Sequence, residues 1–276
     1  MSNPAMTPIR TAAASSESER REFLAAGLAF VQSSREIILD KIRYGFKTEL
    51  KLDGSYVTDA DKAAEETLRR AIEKEFPDHG IIGEEFGCVR PDAEYQWTLD
   101  PIDGTLSFVR GIPLYGTIVA LRHRGRSVIG IIDHPSLDRC YSAGAGLGAF
   151  CNEHRISIHD VKSPEAIKDE VIAVGDRSQF VRVGMTKVFD SLMRSYPHVR
   201  GYTDCFGHAL AAAGSVGAMV DVGIRLWDIA ATEVLIAEAG GRLEYVQTPK
   251  TSEHGGLYGI VCGKPKVVAW LAPMMR

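Results

Sequence analysis

Apolar residues recur at helical spacing over residues 19–44, where Phe23, Leu24, Leu28, Val31, Ile37, Ile38 and Ile42 follow a 3.6-residue period. This predicts a long amphipathic helix after a polar tail at 1–17. Residues 50–57 alternate around Asp53-Gly54, a hairpin-turn dipeptide, and Thr58-x-x-Asp61 has the form of a capping box opening a second helix. Ala60, Ala64, Leu68, Ile72 and Phe76 make its stripe, and Pro77 stops it. From residue 80 the period changes. Short apolar runs at 80–83, 96–99, 117–121 and 128–132, broken by Gly, Pro and Asp, read as strands, with 122–126 as a hairpin through Gly125. An antiparallel sheet packed on the two N-terminal helices is expected. Beyond residue 160 the order becomes strand (171–174), helix (186–196), strand (199–201), helix (204–216), strand (218–222) and helix (229–239). The expected organisation is an α+β domain over 1–158 followed by an α/β domain over 159–276.

Composition narrows the function classes. With 276 residues the chain can bury a large core without disulfides. Lys plus Arg at 32 against Asp plus Glu at 36 leaves a net charge of −4, which argues against a nucleic-acid footprint and for a small, polar or cationic partner. The uncharged stretches are too short and too rich in Gly and Ala for a membrane span. The first twenty residues lack an apolar signal region, so a cytoplasmic location is expected. Five widely spaced cysteines (Cys88, Cys140, Cys151, Cys205, Cys262) fit free thiols in a reducing compartment. Gly144-x-Gly146-x-Gly148 lacks the spacing of a dinucleotide loop. Gly263-Lys264-Pro265 has neither the upstream Gly nor the following Ser or Thr of a P-loop.

The informative residues are acidic: Gly83-Glu84-Glu85, then Asp100-Pro101-Ile102-Asp103-Gly104-Thr105, and later Trp227-Asp228. Each has a structural explanation, since Asp-Pro and Asp-Gly favour turns and Asp228 suits a helix start. Yet each acid follows an apolar run, and strand ends are where mixed folds place their sites. Together with Asp61 these carboxylates would repel strongly unless they were protonated or held a cation, and hard oxygen donors suit Mg²⁺ or Mn²⁺ rather than zinc. Asp100 and Asp103 can face one side across the Pro-bearing turn with the Ile102 carbonyl between them. Gly104-Thr105 opens a short helix whose free N–H groups suit a phosphate.

These three segments, in this order and at these separations, resemble the signatures of the inositol monophosphatase superfamily over residues 20–270. Ser107-Phe108, Gly111-x-Pro113-Leu114-x-Gly116-Thr117 and Asp204-Cys205-Phe206-Gly207-His208-Ala209-Leu210 are more similar to its histidinol-phosphate phosphatase branch. The resemblance implies a layered αβαβα sandwich, usually a homodimer, that hydrolyses a small phosphomonoester with two or three Mg²⁺ ions. It implies that Glu84, Asp100 and the Ile102 carbonyl hold one ion, and Asp100, Asp103 and Asp228 a second. Glu84 and Thr105 would position the attacking water, with Asp61 behind Thr105. The Gly104 and Thr105 amides would hold the phosphate, and Asp221 would contact the organic part of the substrate.

No phosphoenzyme is expected, because the nucleophilic Asp-x-Asp-x-Thr/Val pattern is absent; Asp59-Ala60-Asp61-Lys62-Ala63 matches it in part. Histidinol phosphate is the expected substrate, with Asp204 and Asp221 available to its cationic groups, although Asp204 also suits the start of a helix. Inositol 1-phosphatase or a broad-specificity phosphatase that accepts nucleotides is the alternative.

Overall fold

The computed structural model describes residues 15–52, 54–247 and 256–275. Most of the expected tail, and Asp53 of the expected turn, lie outside these residues. The chain runs α1 (Glu17–Tyr44), β1 (Thr48–Leu50), β2 (Tyr56–Thr58), α2 (Asp59–Glu75), β3 (Gly80–Gly83), β4 (Gly87–Val89), β5 (Tyr95–Asp103) and α3 (Thr105–Val109). Five strands follow: β6 (Gly116–His123), β7 (Arg126–His134), β8 (Arg139–Gly144), β9 (Gly148–Cys151) and β10 (His154–Ile156). The remainder is β11 (Ile172–Val174), α4 (Arg177–Arg182), α5 (Thr186–Ser195), β12 (Val199–Arg200), α6 (Asp204–Ala212), β13 (Ala218–Ile224), α7 (Leu226–Glu238), β14 (Arg242–Val246), β15 (Tyr258–Gly263) and α8 (Pro265–Leu271).

Strands β3 to β10 form one eight-stranded sheet in the order β10-β9-β8-β7-β6-β5-β3-β4, antiparallel except where β3 runs parallel to β5. A five-stranded sheet in the order β12-β11-β13-β15-β14 carries the later strands. The expected hairpin closes β6 onto β7 through Arg124 and Gly125, both at positive φ, with His123 opposite Arg126.

Period-2 alternation divides the core into layers. In β6, Val119 and Leu121 pack with Phe23, Phe30 and Val31 of α1 and Leu68 and Ile72 of α2. Their neighbours Ile118 and Ala120 face the other way, onto Ile229, Ala230 and Leu235 of α7 and Met219 and Ile260 of the smaller sheet. On the far side of that sheet, Val220 and Val261 pack with Phe180, Leu192 and Val268 from α4, α5 and α8. The result is five layers, αβαβα. The expected 158/159 boundary falls between the strands of the two sheets, and the shared middle layer of α6 and α7 joins the cores of both. Among the described residues no helix is long and apolar enough to cross a membrane.

Strands β4, β8, β9, β10, β14 and β15 escape the sequence reading. They are short, or rich in Gly, Ala and Cys, so they carry little alternation. The Gly144–Gly148 segment is a turn: its Gly146 and Gly148 amides donate to Glu238 at 2.8 Å each.

Candidate active site

The middle motif owes its geometry to a β-bulge. Residues three apart on a regular strand point to opposite faces. Here Asp100 pairs with Ile118 and Asp103 with Gly116, so Pro101 and Ile102 together oppose Thr117. The extra residue turns Asp103 to the side of Asp100, and Pro101 is tolerated because a bulge leaves an N–H unpaired anyway. Thr117 Oγ1 donates to the Pro101 carbonyl at 2.8 Å, and Ile102 is fully buried against Ile38, Ala60 and Phe108. Gly104 follows at φ 83°, where a Cβ would lie 3.0 Å from the Leu114 carbonyl, so only glycine turns the strand into α3.

Asp228 reaches the same place from α7. It is not the N-cap, which is Arg225; instead it stands at the third helical position and accepts the Arg225 N–H at 2.7 Å. One carboxylate oxygen from each of Asp100, Asp103 and Asp228 lies within 4.8 Å of the others. Asp103 Oδ2 is oriented by the Cys205 N–H of α6 at 2.5 Å, while Asp100 Oδ1 is buried with no hydrogen-bond partner. Burial first, and then the charge of Glu84 on Asp100 and of Asp204 on Asp103, hold these two carboxyls well above their ordinary range. Burial pushes Asp228 up to about 8, against the pull of the Arg225 N–H and with the charge of Glu84 adding to the rise. An unpartnered buried oxygen among acids that resist ionisation is the environment a divalent cation relieves. With oxygen donors alone and no imidazole or thiolate among the three, the set fits a hard ion such as Mg²⁺.

The other expected residues surround this group. Glu84 follows β3, its N–H donating to the Leu99 carbonyl, and its charge acts on Asp100, Asp228 and Asp61. Its Oε1 accepts Lys51 Nζ at 2.9 Å, and the same ammonium reaches Glu85 Oε1 at 2.7 Å. Those two carboxylates raise the Lys51 pKa against the opposing effect of burial. Burial lifts Glu85 to about 7 despite the lysine. Sequence reasoning missed Lys51, which a hairpin brings in from outside the motifs.

Asp61 forms the expected capping box and more. Its Oδ2 accepts the Thr58 N–H at 2.7 Å and the Thr58 hydroxyl at 2.5 Å, and its Oδ1 lies 3.4 Å from Thr105 Oγ1. Thr105 has one proton and two acceptors in reach, the nearer being the Ile102 carbonyl at 3.0 Å. Burial raises Asp61 to about 6.

Asp204 and Asp221 sit differently. Asp204 adopts φ 59° at the start of α6, with Thr203 as the N-cap, and its Oδ2 lies beside Gly104. Burial pushes it to about 6, while the Thr203 hydroxyl opposes and the charge of Asp221 adds. Asp221 is buried, with its oxygens turned to internal donors. Oδ1 takes the Val222 N–H at 2.9 Å and, in its hydrogen-bonding orientation, the Gln179 amide at 3.0 Å; Oδ2 meets His208 Nε2 at 3.1 Å. His208 Nδ1 contacts Thr232 Oγ1 at 2.8 Å.

A bulged strand end and two helix starts gather these acids beside the Gly104 turn, and the relatives of this chain make it a phosphoric monoester hydrolase. The chain belongs to the inositol monophosphatase family, whose model matches residues 19–270. It is 33% identical over 237 residues to a histidinol-phosphatase of Mycobacterium tuberculosis, covering 83% of this chain and 90% of that protein. It is 34% identical over 200 residues to an inositol-1-monophosphatase of Mesorhizobium japonicum, covering 71% and 74%, and 33% identical over 204 residues to the Nus factor SuhB of Pasteurella multocida, covering 72% and 75%. An inositol monophosphatase structure from Zymomonas mobilis aligns with a TM-score of 0.78 at 26% identity, over 95% of this chain and 99% of that one.

Proposed function

We propose that the chain hydrolyses histidinol phosphate to histidinol and phosphate with Mg²⁺. The observation that carries the catalytic half of this reading is the meeting of Asp100, Asp103 and Asp228 oxygens within 4.8 Å around an unpartnered buried oxygen of Asp100. In this reading Glu84, Asp100 and the Ile102 carbonyl hold one ion, and Asp100, Asp103 and Asp228 a second. Asp61 is available to a third, weaker ion. When bound, the ions supply charge neutralisation of the phosphate and a water of lowered pKa. Thr105, whose hydroxyl donates to the Ile102 carbonyl or to Asp61, would keep its lone pairs free to accept from the attacking water, with Glu84 as the second group that would orient it. The Gly104 and Thr105 amides hold the phosphate oxygens, and the turn fixed by Gly104 keeps them pointed at the acids.

Substrate choice rests on charge beyond the metal ligands. Asp204 lies beside Gly104, and Asp176, exposed nearby, adds a second negative charge; in this reading the leaving alcohol faces the two. A protonated amine or imidazolium pairs with such a wall better than a neutral polyol does. Two curated relatives named histidinol-phosphatase, at 33% and 34% identity, support the same choice. The role expected for Asp221 weakens it, because that carboxylate is already engaged by His208, Val222 and Gln179; here Asp221 shapes the wall through its charge. Inositol 1-phosphate is the second reading, favoured by the relative of that name. A cytoplasmic homodimer is part of the proposal.

The test is phosphate release from histidinol phosphate, inositol 1-phosphate, AMP and adenosine 3′,5′-bisphosphate, with and without Mg²⁺. Histidinol phosphate should give the highest kcat/KM, and Asp204→Asn should lower that preference. A higher kcat/KM for inositol 1-phosphate would overturn the assignment.

A further inference from the structure

Glu65 lies on α2, one turn beyond Asp61, and is fully buried. Its carboxylate faces the turn between β3 and β4, which contains Glu84. Oε2 accepts the Glu85 N–H at 2.8 Å, and Oε1 accepts the Phe86 N–H at 3.2 Å and Arg69 Nε at 2.7 Å. Arg69, the next turn along the helix, completes the grip: its Nη2 donates to the Gly87 carbonyl, and its guanidinium lies 5.9 Å from the centre of the Phe86 ring. One ion pair at i, i+4 therefore binds both the donor and the acceptor side of a single turn.

The turn needs holding. β4 is the last strand of its sheet, so the backbone of the turn is restrained by β3 and α2, while Lys51 holds the Glu84 and Glu85 carboxylates. The fit is close at Gly83, where a Cβ would come 2.0 Å from Glu65 Oε1 and 2.6 Å from Arg69 Nη2. The glycine that begins the Gly83-Glu84-Glu85 segment is thereby explained by what packs against it, since any side chain would expel the clamp. Asp61, one helical turn earlier, reaches toward Thr105. The same face of α2 thus fixes both groups to which water positioning falls.

We propose that Glu65, with Arg69, is a positioning residue that aims Glu84 at the divalent-cation site and so sets the protein's affinity for that ion. The inference rests on the reading of Glu84 as an ion ligand. Groups that orient a metal ligand ordinarily change metal affinity or activity by about 10–100-fold when removed. In Glu65→Gln one oxygen becomes an NH₂ donor. It must then face either Arg69 or the turn's N–H groups, so part of the clamp is lost while the volume is kept.

Mg²⁺ binding is measured by calorimetry on wild type, Glu65→Gln and Glu84→Gln, alongside the Mg²⁺ dependence of phosphate release and the unfolding temperature. In Glu65→Gln the Mg²⁺ Kd and the half-saturating Mg²⁺ should both rise by about 10-fold. Saturating Mg²⁺ should restore turnover with an unchanged KM for the phosphoester, which a loss of folded protein would not do. If Glu65→Gln does not fold, Arg69→Met, which keeps the helix propensity and the stem, carries the same expectation at a smaller amplitude. A folded Glu65→Gln or, failing that, Arg69→Met that binds Mg²⁺ like wild type overturns the inference alone, provided Glu84→Gln is weakened. A Glu84→Gln protein that binds Mg²⁺ like wild type overturns the ligand reading beneath it.

Discussion

Buried and half-buried carboxylates occur in this chain in two kinds of surroundings. Glu65 receives N–H groups from Glu85, Phe86 and Arg69; Asp221 is met by Val222, Gln179 and His208; Glu238 takes the amides of Gly146 and Gly148. Each is a negative charge dissolved in the protein's own donors. Asp100, Asp103 and Asp228 are gathered with their oxygens toward one another, and Asp100 Oδ1 has no partner. The first kind holds backbone in place. The second keeps an electrostatic debt that an outside cation can cancel, so substitutions in the two kinds should act with opposite sign on stability.

The largest expected effect is at Asp100. Asp100→Asn should lower kcat for phosphate release by about 10³-fold, the upper end of the cost of losing one electrostatic stabiliser in a catalytic centre. The Asp100→Asn protein should nevertheless fold, and in chelator at pH 8 melt above wild type, because a repelling carboxyl has gone. Normal turnover would remove Asp100 from the catalytic group. Thr105→Val follows in size. Keeping the shape while removing the hydroxyl should cost about 10²-fold in kcat, the contribution of a positioned proton-transfer partner, with Mg²⁺ affinity from calorimetry unchanged. A weakened Mg²⁺ isotherm would move Thr105 from water positioning to ion binding.

A pH series sharpens the contrast. Asp228 is raised to about 8, Glu85 to about 7, and Asp61 and Asp204 to about 6, with Asp100 and Asp103 well above their usual range. Between the unfolded carboxylate range near pH 4 and these folded values, the folded state binds more protons than the unfolded one. The contribution of these carboxyls to stability therefore falls as pH rises from about 4 to about 8, the reverse of a salt-bridged carboxylate and opposite to the half-buried His79 and the buried His134, whose rings are lowered by burial. The chelated protein should melt lower at pH 8 than at pH 5.5, with each kcal/mol worth roughly 2–4 °C in a chain of this size. Mg²⁺ should raise the melting temperature more at pH 8 than at pH 5.5. Equal stabilisation at both values would mean that the ion does not bind the groups that titrate.

The division also separates what could be read from residue order from what could not. Local chemistry was legible: the Thr58–Asp61 capping box, the turn at Gly125 and the placing of Asp100 and Asp103 on one side follow from neighbours in the chain. The bulge that makes the last possible is written in the Asp-Pro-Ile-Asp spacing. Glu65, Arg69 and Lys51 were not legible, because apart from the Glu65–Arg69 pair itself their partners are 18 to 34 residues away and their own segments read as ordinary polar positions. Glu65 does stand next to Ala64 of the apolar stripe and one turn past Asp61, a position that a helix burying this face would close off. Asp221 shows the converse. The family resemblance implied a substrate contact for it, and only the register of β13, which turns Asp221 inward with Met219, reveals that α6 answers it with His208.

The smallest effect is expected at Glu238, at the opposite end of α7 from Asp228. Glu238→Gln keeps an acceptor for one of the Gly146 and Gly148 amides but loses the charge that strengthens both bonds. The cost should be about 1 kcal/mol, seen as a drop of roughly 2–4 °C in melting temperature at any pH between 5.5 and 8. Phosphate release and Mg²⁺ binding should stay at wild-type values. A donor-satisfied carboxylate that behaved otherwise, lowering kcat/KM or changing the Mg²⁺ isotherm, would join the turn of β8 and β9 to the acid cluster through α7, and the two kinds of acid would no longer be separable. If only the melting temperature moves, the glycines at 144, 146 and 148 are accounted for as a turn built to receive a side chain of the protein itself.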